Sequence, residues 1–366
     1  MVAVSTFDRP SLPYLLELLQ EGDFQERWDA VKQLSEFGEP AIAHALDLLR
    51  SQPEDDELCW FVARLLGNST SPDAIATLAD LLANHPDEDV RVAAAATLAR
   101  LGSQAIAPLS QLLDRPQERF LAVRALAEIR HPDVVDALLP YASDADISLR
   151  ATILTAFSNF RDRRVLAPLV RGLEDPAAAV RCQATIGLGV RQDLAEELEL
   201  VKLLRRRLFD LDLNVCQQAA IALSRLGSDK AVEVLSIALR SPHTPASLRS
   251  DIAWALGWLE TPASVAALGE ALFASTDEEI CCEILTVFSH GNSCKLSSQI
   301  HDVLTQWLNS EHPARKQPYI RRAIAFALRR IGSPAIAQFQ SDPDETVRWH
   351  ATAKCSAGSE IGRFQH

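Results

Sequence analysis

An all-α fold, built as an α-solenoid of about eleven helix pairs, is predicted by three observations on this 366-residue chain. A short pattern returns at intervals averaging about 32 residues: an acidic turn, an apolar residue followed by Arg or Cys, then an Ala/Leu-rich run. Apolar residues inside each interval recur at three- and four-residue spacings, the signature of amphipathic helices. No alternation of the kind that marks a strand lasts more than a few residues. A fixed period of this size marks a repeat array whose units stack on their neighbours.

The second position of the pattern reads Arg27, Cys59, Arg91, Arg119, Arg150, Arg181, Cys216, Arg249, Cys281, Arg321 and Arg348. Each unit divides in two. Its first helix opens with a capping hydroxyl before proline, as at Ser71-Pro72, Thr261-Pro262 and Ser333-Pro334, because proline suits the first helical position. Ile106, Leu109, Leu112 and Leu113, or Val165, Leu166, Leu169 and Val170, supply its apolar stripe. A turn such as Asp87-Glu88-Asp89 or Asp175-Pro176 follows, placing carboxylates at the positive end of the next helix. That second helix is made of small residues (Val90, Ala94, Ala95, Leu98, Leu101) that let helices approach closely. Gly38, Gly102, Gly227 and Gly332 stand eleven residues past the pattern position, where the chain leaves the helix through a positive φ. The repeats should run from about residue 11 to 355 as one solenoid spanning 1–366, with a short first helix at Pro334–Gln340 in the last repeat and 356–366 as a tail. The widest interval, Cys281 to Arg321, carries its excess near Ser289–Lys295 and Asn309–Pro318.

Composition narrows the function. The formal charge is −13, and residues 1–100 hold 7 Lys/Arg against 18 Asp/Glu. Such a chain is a poor general binder of phosphate backbones, so no nucleic acid is expected; the acidic end could steer a basic partner. Seven cysteines without a disulfide-like spacing point to a reducing compartment. Residues 1–10 lack a basic segment followed by an apolar run, so no signal peptide is expected, and no apolar run is long enough to span a membrane. A soluble cytoplasmic protein is expected.

The pattern D-x-x-V-R-x-x-A-x-x-A-L-x-x-L-G, carried by 87–102, 144–161, 177–192, 211–227 and 344–354, resembles the HEAT repeat, in the form found in phycobilisome-lyase-like proteins of cyanobacteria. The resemblance covers nearly the whole chain. It implies that the second helices line a concave surface and that the Asp and Arg positions form a ladder between turns. It also implies a role shared among bilin lyases, phycobilisome assembly or degradation factors, an iron–sulphur scaffold partner and plain adaptors.

Two groups of side chains are candidates for function. Trp28, Trp60 and Trp349 directly follow the Arg/Cys position, and Trp254 and Trp258 lie four apart on one helix. Trp28 and Trp60 should stack side by side, Trp254 and Trp258 should pack on the next repeat, and all four could anchor a protein or a flat tetrapyrrole. Cys281, Cys282, His290 and Cys294 fall within 14 residues and form a weak candidate metal or redox cluster, since no C-x2-C pair is present. Adjacent cysteines on a helix point about 100° apart. Cys59, Cys216 and Cys281 read as small residues tolerated by helix packing, and Lys202, Arg205, Arg206 and Arg207 as a solvated face.

No His-Glu dipeptide, the ligand pair of the di-iron deoxyhypusine hydroxylases, occurs. Neither does a phosphate-binding glycine loop, a nucleophile elbow or a zinc-protease helix. No catalytic residue and no resident cofactor is expected. The leading expectation is a non-catalytic scaffold or assembly factor binding a partner protein in its concave groove, linked to phycobilisome or iron–sulphur protein biogenesis. The alternatives are a bilin lyase or bilin chaperone, and a carrier that stabilises a partner's iron–sulphur cluster.

Overall fold

The computed structural model describes residues 10–290 and 296–352. Every regular element among them is helical. The helices fall into two compact units divided after Gly172. The first holds α1 (Leu12–Glu21), α2 (Phe24–Leu34), α3 (Glu39–Ser51), α4 (Asp56–Leu66), α5 (Pro72–Asn84), α6 (Glu88–Leu101), α7 (Ile106–Leu112), α8 (Arg119–Glu128), α9 (Asp133–Leu138), α10 (Ile147–Phe157) and α11 (Leu166–Gly172). The second holds α12 (Ala178–Gly189), α13 (Leu200–Arg207), α14 (Leu213–Leu226), α15 (Asp229–Arg240), α16 (Ala246–Leu259), α17 (Pro262–Ala274), α18 (Glu278–His290), α19 (Ser297–Asn309), α20 (Pro318–Arg330) and α21 (Glu345–Thr352).

Within each unit the even-numbered helices pack on one another in one row, which α21 joins by packing on α20, and the other odd-numbered helices form a second. The core lies between the rows. Leu58, Phe61, Leu65, Leu78 and Leu98 are fully buried in the first unit, as are Leu223, Ile252, Leu256 and Ile284 in the second. Each such side chain contributes about 1.5–3 kcal/mol by leaving water. The last repeat opens with a 3-10 turn, Pro334–Phe339, in place of an α-helix, in keeping with its expected shortness. The second half of the long interval is ordered too, with a 3-10 turn at Pro313–Lys316. Its first half and the expected tail reach into 291–295 and 353–366, outside the described residues.

Turn carboxylates cap the second helices. Asp23 accepts from the Glu26 N–H while Glu26 returns a bond to the Asp23 N–H, a reciprocal arrangement that satisfies two otherwise orphaned donors. Asp55, Asp87, Asp146 and Asp212 cap their helices by accepting from a backbone N–H two or three residues on, with no return bond of this kind. Gly38, Gly102, Gly227 and Gly332 all have φ between 63° and 70°, as the exits require. Gly189 has a different purpose, because a Cβ there would stand 2.6 Å from Ala222 Cβ. Its absence lets α12 and α14 close together.

The expected ladder is present. Arg27 Nη2 donates to Asp55 at 3.0 Å, Arg119 to Asp144 at 2.8 Å, Arg249 to Asp277 at 3.0 Å and Arg321 to Asp342 at 2.8 Å. Arg181 grips both oxygens of Asp210, at 2.8 and 2.6 Å. Most of these arginines also donate to a carbonyl five or six residues back, such as Leu113 O, Asp175 O and Lys316 O. Each guanidinium thus ties its own turn to the next repeat. Burial alone would raise Asp55, Asp210 and Asp342, but the bonds from Arg27, Arg181 and Arg321, helped by backbone N–H donors, hold all three below the ordinary carboxylate range.

Arg91 departs from the pattern: its Nε is buried without a hydrogen-bond partner. In the turn that follows, Asp114 accepts from Tyr141 instead. Arg207 departs from the solvated face expected of it. Its side chain is only 13% exposed, and Nη1 donates to Leu173 O and Asp210.

Candidate functional site

The ladder arginine faces the turn, so the residue after it is rotated by about 100°. In the first unit this stripe carries Trp28 on α2, Trp60 on α4 and Phe120 on α8. Each is followed four residues on by a cation that returns over its ring, as helical geometry allows. Lys32 Nζ lies 5.4 Å from the Trp28 centroid, Arg64 Cζ 4.7 Å from Trp60, and Arg124 Cζ 5.9 Å from Phe120. Arg64 also lies 5.0 Å from Trp28, so a single guanidinium serves both indoles.

The two indoles are stacked, with centroids 6.2 Å apart and planes 25° from parallel. Phe24 lies against both, at 6.4 and 6.2 Å, and Phe61 closes the cluster from below, at 5.0 Å from Trp60. Phe61 is fully buried whereas Phe24 is 55% exposed. The cluster is therefore rooted in the core and open to solvent at its top. Its cations are held by ring faces, an attraction worth about 0.5–1 kcal/mol per contact at exposed sites.

The other sequence candidates are spread out. Trp254 packs edge-on to His290 of α18, at 5.3 Å, as expected of a residue contacting the next repeat. Trp258 instead points outward and is 59% exposed. Trp28 and Trp60 belong to the other unit. Trp349 is also exposed and lies against His350, with Arg329 Cζ at 5.8 Å. Phe24 and Arg64 were not singled out from sequence, although the four-residue spacing from Trp60 to Arg64 was there to be read. Trp307, the largest fully buried side chain, was missed as well.

The cysteines that replace arginine aim at the same carbonyls the arginines use. Cys59 Sγ lies 3.6 Å from Pro53 O, Cys216 Sγ 3.2 Å from Asp210 O and Cys281 Sγ 3.8 Å from Ser275 O, each six residues back. Burial, reinforced by nearby carboxylates, pushes the Cys59 and Cys281 thiols up to about 11. They are neutral side chains near neutral pH. Cys281 is wholly buried and Cys282 half-buried on an adjoining face. Cys294 lies outside the described residues. Among those described, no three His, Cys, Asp or Glu side chains are gathered to hold a metal ion, and no helix is long and apolar enough to cross a membrane.

Two rows of paired helices joined by an Arg–Asp ladder define a HEAT-type array. The family profile described as HEAT repeats matches residues 42–121, 114–189 and 169–246; the chain belongs to the HEAT-repeat family. A further profile, described as PBS lyase HEAT-like repeat, matches residues 248–273. Among solved structures, Kap121p aligns with a TM-score of 0.63 at 16% identity, over 92% of this chain and 44% of its own length. An engineered protein aligns at 0.42 and 21% identity, over 88% of this chain and 99% of its own. The complex of CpcE and CpcF of phycocyanin lyase from a Nostoc species aligns at 0.33 and 16%, over 75% and 98%. No match is found among curated proteins.

Proposed function

We propose that this chain is a non-catalytic scaffold that holds a partner protein along the concave, second-helix side of its array, in the cytoplasm. One observation carries the reading: Phe24, Trp28, Trp60 and Arg64 form a preassembled aromatic–cation platform on adjacent second helices. Aromatic residues and arginine dominate the energetics of protein interfaces. Here they are braced by a buried Phe61, so little side-chain freedom is lost on binding. Phe120 with Arg124 extends the same stripe two repeats further. The acidic balance of residues 1–100 favours a basic partner over nucleic acid.

The test is capture from a lysate of the source organism, comparing the full chain with Trp28→Ala and Trp60→Ala. The platform reading expects a discrete partner whose recovery falls at least about tenfold with either variant, as for an interface hot spot. Equal recovery by all three proteins overturns it.

A second reading, a bilin lyase or bilin chaperone working on phycobiliprotein subunits, is favoured by the lyase-type repeat at 248–273. Its chemistry requires cations for two propionates. Arg249, which opens that repeat, is tied to Asp277, so this reading asks for a rearrangement that the scaffold does not. Titration with phycocyanobilin separates the two: a sharpened, shifted visible band favours the lyase, and an unchanged spectrum removes it. A link to iron–sulphur proteins, in which the partner carries the cluster, is a version of the scaffold reading.

A further inference from the structure

We propose that the platform receives an acidic segment of its partner protein: a carboxylate of Asp or Glu on the free edge of the Arg64 guanidinium, with a neighbouring apolar side chain on the Phe24 ring. The inference rests on the partner-binding reading above and names the chemistry the partner must present.

A guanidinium can be held in two ways. Its face stacks on aromatic rings, and the N–H groups at its edge bond acceptors. The ladder arginines use the edge, as where Arg181 grips both oxygens of Asp210. Arg64 uses only the face. It is half-buried, with Cζ 4.7 Å from the Trp60 centroid and 5.0 Å from that of Trp28. Among the described residues, no carboxylate pairs with it and no acceptor takes a hydrogen bond from it. Its guanidinium nitrogens are nonetheless open to solvent, unlike the buried Nε of Arg91. Stacking thus fixes the plane of the cation and leaves its donors in reach and unused. A carboxylate meets such an edge through two parallel bonds.

The vacancy is not for want of acids, since residues 1–172 carry 26 Asp/Glu against 16 Lys/Arg. The nearby carboxylates are engaged elsewhere. Asp29 accepts from Lys32 at 3.0 Å and from Gln25 at 2.9 Å, while Asp55 and Glu57 hold Arg27.

Unpaired cations continue along the row of second helices. Arg100 of α6 is exposed and has no carboxylate among the described residues. Its Nη2 would stand 3.1 Å from a Cβ on Gly67, three residues past Arg64 on the same face of the chain. The missing side chain lets this second guanidinium lie against the end of α4. Arg124, over the Phe120 ring on α8, is likewise without a carboxylate. The unit's net negative field acts on a partner at a distance, but the surface finally touched presents cations. A singly charged carboxylate suits that setting better than a phosphate, whose second charge the surrounding acids repel.

The experiment titrates the intact chain with acetyl-Leu-Glu-Leu-Glu-Leu-amide and with its glutamine, lysine and phosphoserine counterparts, by calorimetry and tryptophan emission. The glutamate peptide should bind at least about tenfold more tightly than the glutamine and lysine peptides, given the strength of charge-assisted hydrogen bonds. Arg64→Gln should remove that preference. Arg64→Lys, which keeps the charge but not the fork, should retain only part of it. Arg100→Gln should weaken glutamate binding less than Arg64→Gln does. Arg115→Gln, which removes an exposed cation from the turn between α7 and α8, should leave it unchanged. Failure of the glutamate peptide to bind, equal affinity for the glutamine peptide, or a preference that survives Arg64→Gln overturns the proposal. Tighter binding of the phosphoserine peptide overturns it too, in favour of a phosphorylated partner. If lysate capture depends on Trp28 and Trp60 while the peptides are not distinguished, the acidic-segment proposal falls and the platform stands. If the glutamate peptide binds through Arg64 but no protein is captured, the scaffold reading falls and the carboxylate site stands.

Discussion

The residue after the ladder position reads Trp28, Trp60, Val92, Phe120 and Ala151 in the first unit, but Cys182, Gln217, Ser250, Cys282, Arg322 and Trp349 in the second. Both series sit on the same turn of equivalent helices, and both follow a residue fixed by the frame. The first series is mostly apolar and topped by cations. The second is mixed: Gln217 donates to Asp251 at 2.8 Å, Arg322 and Trp349 are exposed, and only Trp349 carries a cation against its ring. Charge divides the same way: residues 1–172 carry 16 Lys/Arg against 26 Asp/Glu, and the remainder carry 20 against 23. A repeat frame fixes which positions are buried and which are not. What is placed at the free positions then separates a surface built to be covered from one that only keeps the array soluble.

The comparison is broken most severely at the ladder. Arg181→Met strands Asp210, whose side chain is 4% exposed, and removing one partner of a buried pair costs about 3–5 kcal/mol. Arg207 still reaches Asp210 at 3.3 Å, so the lower end of that range is expected in urea unfolding. Arg91→Met in the first unit, where no rung exists, should cost less than a third as much. Equal losses would show that the ladder is not what distinguishes these two sites.

Close approach gives the next effect. Gly189→Val forces α12 and α14 apart at Ala222 and should destabilise by about 1–3 kcal/mol, the usual range for overpacking. Gly102→Ala meets no atom within 4 Å and is strained only through its φ of 70°, for which about 1 kcal/mol is expected. Thermal melts rank the two.

Acidification affects both units together. The folded-state values of Asp55, Asp210 and Asp342 are depressed, so their contribution is complete above the unfolded carboxylate value and is lost as pH falls through the lower folded one. The unfolding midpoint should be flat near neutrality and drop below about pH 4. The drop should be smaller in Arg181→Met. The smallest effect is at the platform: Arg64→Gln should cost about 0.5–1 kcal/mol, the worth of exposed cation–π contacts, while shifting tryptophan emission.

Much of the frame was legible in the sequence because it depends on local rules. The Arg/Cys register, the capping turns and the positive-φ glycines each follow from one residue type at one position. The stacking of Trp28 on Trp60 followed from that same register. What could not be read depends on which neighbour reaches a site first. His312 closes the Cys281 rung only because the long interval brings the Pro313–Lys316 turn alongside it. Asp114, in the turn that follows Arg91, accepts from Tyr141, a residue 27 further along the chain. Trp258 was expected to pack because Trp254 does, yet four residues of helix advance the direction by about 40°, enough to carry it into solvent.

The guanidinium of Arg64 lies against two stacked indoles. Chromophores held that near one another exchange excitation, so this protein should carry an exciton couplet in its near-ultraviolet circular dichroism. The couplet is an optical gauge of the distance between its first two repeats. It needs no label, and anything that settles on the rings or pries those repeats apart will alter its sign or its size.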